Sequence, residues 1–128
     1  MQDIEELIRL AKKAHQNAYA PYSKFKVGAV LLTKAGNIYS GCNVENASYG
    51  LSICAERVAM SNAITNGEKE FENLVVYTDR KDFFLPCGAC RQFISEFTDE
   101  LKIIIVNGRD KIKITNIKEL LPEKFKLS

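Results

Sequence analysis

Cys87-Gly88-Ala89-Cys90, preceded by Pro86, sets two thiols three residues apart at the predicted start of a helix, where both sulfurs reach one ion. A helix N-terminus also favours negative charge, which lowers a thiol pKa and stabilises the thiolate. Alone, such a pair serves redox exchange, half of a structural zinc site or a catalytic metal. Cys54-Ala55-Glu56, at a second predicted helix N-terminus, alters that balance. The two segments together read C-x-E followed by P-C-x-x-C. Three thiolates leave one position of a tetrahedral zinc unclaimed, and a catalytic zinc keeps that position for water. Zinc lowers the pKa of such a water from ~15.7 to ~7. Glu56, two residues past Cys54, does not share its helical face, which suits it to approach the water as a general acid/base.

The two arginines beside these segments bear on the charge. Three thiolates and one divalent ion sum to minus one, an excess that weakens the metal as a Lewis acid. Arg57 offsets it if its guanidinium donates to a thiolate, and Arg91, directly after Cys90, offers the same. Cys42 lies in a strand pattern and reads as a buried small hydrophobe. It also defines the rival reading, a closed four-cysteine structural site without catalysis. His15, the single histidine, is expected at the surface or at the end of the first helix, remote from the other motifs.

These side chains need elements to carry them. Asp3 with Glu6 opens a helix, and Ile4, Leu7, Ile8, Ala11, Ala14 and Ala18 line its buried face until Pro21 ends it. Lys26 to Thr33 and Ile38 to Val44 read as a hairpin around the turn Lys34-Ala35-Gly36-Asn37. A helix is predicted over Cys54 to Thr65, stopped by Asn66-Gly67, then a buried strand over Asn73 to Thr78. Gly88 to Phe97 resumes a helical pattern, with Ala89, Phe93, Ile94 and Phe97 as its inner face. Lys102 to Val106 and Lys111 to Thr115 are strands, the second an edge, and a short helix over Asn116 to Leu121 precedes a polar tail. Strands mixed with helices in this order predict a sheet with helices packed on its faces.

A chain of 128 residues, 46% hydrophobic and 27% charged, fits one domain, 1–128, with its own core. The formal charge of +2, from 18 basic and 16 acidic side chains, provides no footprint for a nucleic acid or an anionic membrane. A small, weakly charged substrate is expected instead. The acidic start Met1-Gln2-Asp3-Ile4-Glu5-Glu6 lacks the pattern of a secretory signal, and no stretch is apolar enough to span a bilayer. The cytoplasm is therefore the expected compartment, where cysteines are ligands or catalysts sooner than disulfides.

With those motifs in hand, the chain resembles the cytidine deaminase family in its small, zinc-containing, homotetrameric form. The resemblance spans nearly the whole sequence. It rests on Ala20-Pro21-Tyr22-Ser23-Lys24-Phe25, Gly41-Cys42-Asn43-Val44-Glu45-Asn46-Ala47, Cys54-Ala55-Glu56-Arg57 and Pro86-Cys87-Gly88-Ala89-Cys90-Arg91-Gln92, in this order. It implies a three-layer α/β/α fold with a mixed sheet of about five strands. It implies one zinc on Cys54, Cys87 and Cys90, and hydrolysis of cytidine or 2′-deoxycytidine in pyrimidine salvage. In that chemistry a hydroxide generated at zinc attacks C4 while Glu56 shuttles protons. Asn43 and Glu45, alternating along a strand end, fall to the ribose 3′-OH, Phe25 to the face of the base, and the backbone of Ala55 to its edge. Tyr49 and Phe125 match positions that close the pocket from neighbouring subunits, although this tail stops soon after, at Ser128. Two other substrates compete: bases within RNA or DNA, which need a strand-tracking charged surface, and aminonucleoside analogues.

Overall fold

A computed structural model describes residues 3–127 of the chain. Asp3 caps the first helix, α1 (Ile4–Gln16), by accepting from the Glu6 amide at 2.8 Å. The helix stops at Gln16 with Asn17 as its C-cap, well before Pro21, so Ala18 is buried from the loop beyond rather than from the helical face. Strands β1 (Val27–Thr33) and β2 (Ile38–Cys42) form the expected antiparallel hairpin. A 3₁₀ turn over Tyr49–Leu51, which no periodicity announced, leads to α2 (Ala55–Thr65). Gly67, at φ 88°, ends α2 where the Asn-Gly pair predicted a stop. Then come β3 (Phe71–Thr78), α3 (Gly88–Ser95), β4 (Lys102–Val106), β5 (Ile112–Asn116) and α4 (Ile117–Leu120).

The five strands make one mixed sheet in the order β2-β1-β3-β4-β5. All neighbours are antiparallel except β3 and β4, which run parallel because α3 carries the chain back across the sheet. Alternation along the central strands feeds two cores. Val30, Leu32, Val75 and Ile104 meet Leu7 and Ala11 of α1 on one face. Ala29, Leu31, Leu74, Val76 and Ile103 meet α2, Ile94 of α3 and Ile117 of α4 on the other. The architecture is the expected α/β/α sandwich.

The inner face of α3 departs from its predicted pattern. Cys90, Ile94 and Ser95 are buried, whereas Ala89 is exposed and Phe97, past the helix end, is 39% exposed. The helix thus turns Cys90 inward, where none of it is exposed. His15 takes the second of its two expected places, the end of the first helix, and is partly covered there. It sits in the last turn of α1 with its ring edge-on to Tyr77 at 5.1 Å, and burial lowers its pKa.

Among the described residues no helix is long and apolar enough to cross a membrane.

Candidate active site

The site lies at one end of the sheet, where β2 and β3 finish and β1 begins: Gly28 pairs with Cys42, and Val27 with Thr78. Helices α2 and α3 both start there. Cys54 is the N-cap of α2, Cys87 the N-cap of α3, and Cys90 lies in the first turn of α3. Neither cap residue is held by a side-chain capping hydrogen bond, so both sulfurs are free to turn toward each other.

The Sγ atoms of Cys54 and Cys87 stand 3.8 Å apart, and all three sulfurs lie within 4.8 Å of one another. A tetrahedral zinc with Zn–S bonds of about 2.3 Å needs its sulfurs about 3.8 Å apart, so the donor set fits that ion in number, type and spacing. Cys42 is outside this group, half-buried on β2, with its thiol pushed up by burial. The closed four-cysteine reading is therefore overturned among the described residues: three sulfurs converge and the fourth does not.

Charge is distributed unevenly over the sulfurs. The neighbouring Cys90 thiol, with help from Arg57, lowers Cys54 to about 5, while the closeness of Cys54 and burial push Cys90 upward. Arg57 supplies its share through Nη2, 3.7 Å from the Cys54 sulfur and 3.4 Å from the Ser52 carbonyl. Arg91 does something else. Its Nε donates to the Pro86 carbonyl at 2.7 Å and its Nη1 to the Leu120 carbonyl at 3.1 Å, tying the Cys87 segment to the end of α4. Only Arg57 touches a sulfur; the parallel role expected for Arg91 is corrected, because its side chain turns back along the loop that precedes α3.

Glu56 is 6% exposed, in the first turn of α2. Burial, reinforced by the Cys54 charge, raises its carboxyl from the usual carboxylate range to about 7. It lines a cavity of ≈ 460 Å³ together with Cys54, Cys87 and Ala55. Phe25, Asn43 and Glu45 line the same cavity. The Phe25 ring meets Phe84 edge-on at 4.8 Å and carries the Arg80 guanidinium 4.7 Å from its centroid. Asn43 is bridged into the chain: its Nδ2 donates to the Phe25 carbonyl at 2.7 Å and its Oδ1 accepts from the Val27 amide at 2.8 Å. Glu45 accepts from the Tyr22 and Ser23 amides, each at 3.1 Å, and from the Ser23 hydroxyl.

Two expected residues are not brought in. Tyr49 is 74% exposed and packs edge-on against Tyr22 at 6.3 Å. Phe125 is 68% exposed, its backbone clasped at both N–H and C=O by the side-chain amide of Gln92, at 3.0 and 3.1 Å. Neither lines this chain's own cavity. Conversely, Phe84, Leu85 and Thr78 line it, and the sequence reading passed over all three. The Phe83-Phe84-Leu85 run just before Pro86 was the available signal, since three apolar residues in a loop need a reason.

An α/β/α domain that converges three thiols, two of them on the wall of one cavity with a buried carboxyl, defines a thiolate-ligated zinc protein with an acid/base group beside the ion. The comparisons with known proteins narrow the class. Residues 1–106 match the family model described as the cytidine and deoxycytidylate deaminase zinc-binding region. A cytidine deaminase of Sporosarcina psychrophila is 45% identical over 96% of this chain and 91% of its own. A probable cytidine deaminase of Dictyostelium discoideum is 47% identical over 97% of this chain and 84% of its own. The crystal structure of a cytidine deaminase from Burkholderia pseudomallei superposes with a TM-score of 0.93 at 43% identity, covering 97% of this chain and all of that one. The chain belongs to the cytidine deaminase family.

Proposed function

We propose that the protein hydrolyses cytidine and 2′-deoxycytidine to uridine and 2′-deoxyuridine with release of ammonia, acting in pyrimidine salvage. The observation that carries this reading is the position of Glu56: the buried carboxyl of the cavity wall lies in the first turn of α2, two residues past Cys54, one of the three converged thiols. Cys54, Cys87 and Cys90 would hold one zinc, which supplies hydroxide from water at neutral pH. Glu56 takes the proton that water gives up and places it on N3 of the pyrimidine as hydroxide adds to C4, then moves the proton of the new C4 hydroxyl to the amino group, which departs as ammonia. Its pKa, raised to about 7 by burial, suits both giving and taking. Arg57 draws charge from the Cys54 sulfur, offsetting the surplus of three thiolates.

The remaining lining fits a nucleoside. Phe25, held by Phe84 and Arg80, offers its ring to the base, and Ala55 offers backbone at the start of α2. Asn43 and Glu45 take the ribose 3′-OH. Each is already anchored by the chain, yet the amide retains one proton and one lone pair and the carboxylate retains lone pairs, so they meet the sugar preoriented. A single domain of this kind works in the cytoplasm as a homotetramer, with Tyr49 and Phe125 closing the cavities of neighbouring chains. Their distance from their own cavity supports that reading. The near-neutral charge argues against strands of RNA or DNA as substrates.

Metal analysis and an ammonia-release screen on the purified protein test the proposal together. One zinc per chain is expected, with ammonia from cytidine and deoxycytidine and none from single-stranded nucleic acid. Glu56→Gln is expected to keep the zinc and lose nearly all turnover. Zinc-loaded protein that releases no ammonia from either nucleoside overturns the assignment.

A further inference from the structure

Phe25 lies in the connection between α1 and β1, where no helix or strand fixes it, yet it is half-buried and lines the cavity. Its backbone is held on both sides: the N–H donates to the Ser23 hydroxyl at 3.0 Å and the carbonyl accepts from Asn43 Nδ2 at 2.7 Å. Neither bond fixes the ring. Just before it, Lys24 sits at φ 61°, in the left-handed region that residues with a Cβ rarely adopt. The Arg80 side chain reaches both residues. Its Nη2 donates to the Lys24 carbonyl at 3.2 Å, and its guanidinium carbon stands 4.7 Å over the centre of the Phe25 ring. Asp79 Oδ1 lies 3.9 Å from Nε, beyond hydrogen-bond reach, so the side chain bonds a neutral carbonyl although a carboxylate is near. The loop that carries Arg80 is itself pinned by the turn between β4 and β5. The Arg80 carbonyl accepts from the Gly108 amide at 2.7 Å, and buried Asn107 donates from Nδ2 to the Lys81 carbonyl at 2.8 Å. A Cβ on Gly108 would collide with the Asp79 carbonyl oxygen.

We propose that Arg80 is a positioning residue for the reaction: its guanidinium fixes the Phe25 ring and the left-handed Lys24 before it, without touching the substrate. The inference rests on the deaminase reading, in which Phe25 meets the base, and adds to it the group that keeps the ring in place. Arg80 does not itself line the cavity. A guanidinium over an aromatic ring is attracted by the negative charge of the ring face. Its planar fork at the same time leaves an N–H for the carbonyl alongside. One side chain thereby ties ring and backbone together. A ring fixed before the substrate arrives loses less freedom on binding, so the gain is in affinity. The base meets that ring in the ground state and the transition state alike, which places the effect in KM rather than kcat. With its side chain 45% exposed, Arg80 gains the modest attraction of a solvated cation.

Steady-state kinetics of the zinc-loaded protein on cytidine test the role. Arg80→Ala is expected to raise KM roughly three- to fivefold with kcat little changed, while zinc content and melting temperature stay near the parent values. Arg80→Met, as long but without charge or donor, is expected to be impaired to the same degree, and Arg80→Lys to recover part of the loss. The decisive arm is the pair. In a Phe25→Leu background, Arg80→Ala is expected to move KM by less than about twofold, because the ring through which it acts is gone. An arginine that touched the substrate directly would keep its full effect there, and that result overturns the assignment. So does an unmoved KM, a methionine variant equal to the parent, a lysine variant no better than methionine, or a melting temperature several degrees lower. Parent protein that releases no ammonia from cytidine sinks the deaminase reading and this inference with it. An active parent matched by Arg80→Ala sinks this inference alone.

Discussion

Glu56 shows how far function is set against stability at a single residue. The unfolded chain ionises this carboxyl near its ordinary value of 4.5, whereas the folded, metal-free chain holds the proton to about 7. Between those values the native state binds more protons than the unfolded one, so stability falls as pH rises and the loss is complete above about 7. Metal-free Glu56→Gln is expected to exceed the metal-free parent in stability at pH 8, by something of the order of 3 kcal/mol, with the gap closing below the unfolded pKa. Urea denaturation at both pH values checks the sign. With zinc in place the three-thiolate centre carries a net charge of minus one, the same as the Cys54 thiolate alone, so the acid limb of kcat/KM is expected to stay near 7. Arg57 supplies the complementary prediction. Arg57→Ala is expected to lower zinc occupancy or rate, because Cys54 loses a charge-assisted donor. Full retention of both would remove that arginine from the site.

At the scale of elements, the metal centre depends on how tightly α2 lies on the hairpin. A Cβ on Gly41 would stand 2.5 Å from the Ala59 amide nitrogen and 2.7 Å from the Ala55 carbonyl oxygen, so the side of α2 that begins at the site rests directly on β2. Gly41→Ala is expected to destabilise the protein by roughly 1–3 kcal/mol and to weaken zinc binding as well, since α2 moves with Cys54 and Glu56 on it. Isothermal titration with zinc and a melting curve read the two effects. Gly28 plays the same part under α1, where a Cβ would meet the His15 amide nitrogen at 2.6 Å and the Ala11 carbonyl oxygen. Gly28→Ala is expected to reduce stability while leaving zinc affinity near the parent value. The sequence already showed most of these elements, because β1, β3 and β4 are short apolar runs bounded by turn residues and α2 ends at an Asn-Gly pair. The ligands and Glu56 were equally legible, since type and spacing are local properties. Three features were not. The 3₁₀ turn at Tyr49–Leu51 has no periodicity, the rotation of α3 onto Cys90 depends on what the helix packs against, and Thr78 lines the cavity only because β3 happens to end there.

For the molecule as a whole, the flank that carries Tyr19, Val44 and Ile53 stands out. Isolated bridges join Tyr19 to Val44 and Val44 to Ile53, and these three, with Tyr22, Tyr49 and Leu51, all remain exposed. So many large apolar side chains on one flank support the proposed assembly of this chain with copies of itself. Sedimentation is expected to give the mass of four chains at assay concentrations, and Tyr49→Ala or Phe125→Ala to lower kcat/KM with zinc retained. A fully active single chain in solution would overturn that expectation. The converged sulfurs have a practical consequence too. Loaded with metal, the protein hides three of its four thiols from alkylating reagents, and the fourth, Cys42, is half-buried with a raised pKa. Stripped of metal, it uncovers exposed Cys87 and a Cys54 that ionises near 5. The number of carboxamidomethyl groups acquired in a brief iodoacetamide pulse, read by mass spectrometry, thus becomes a gauge of how much of a preparation carries its ion.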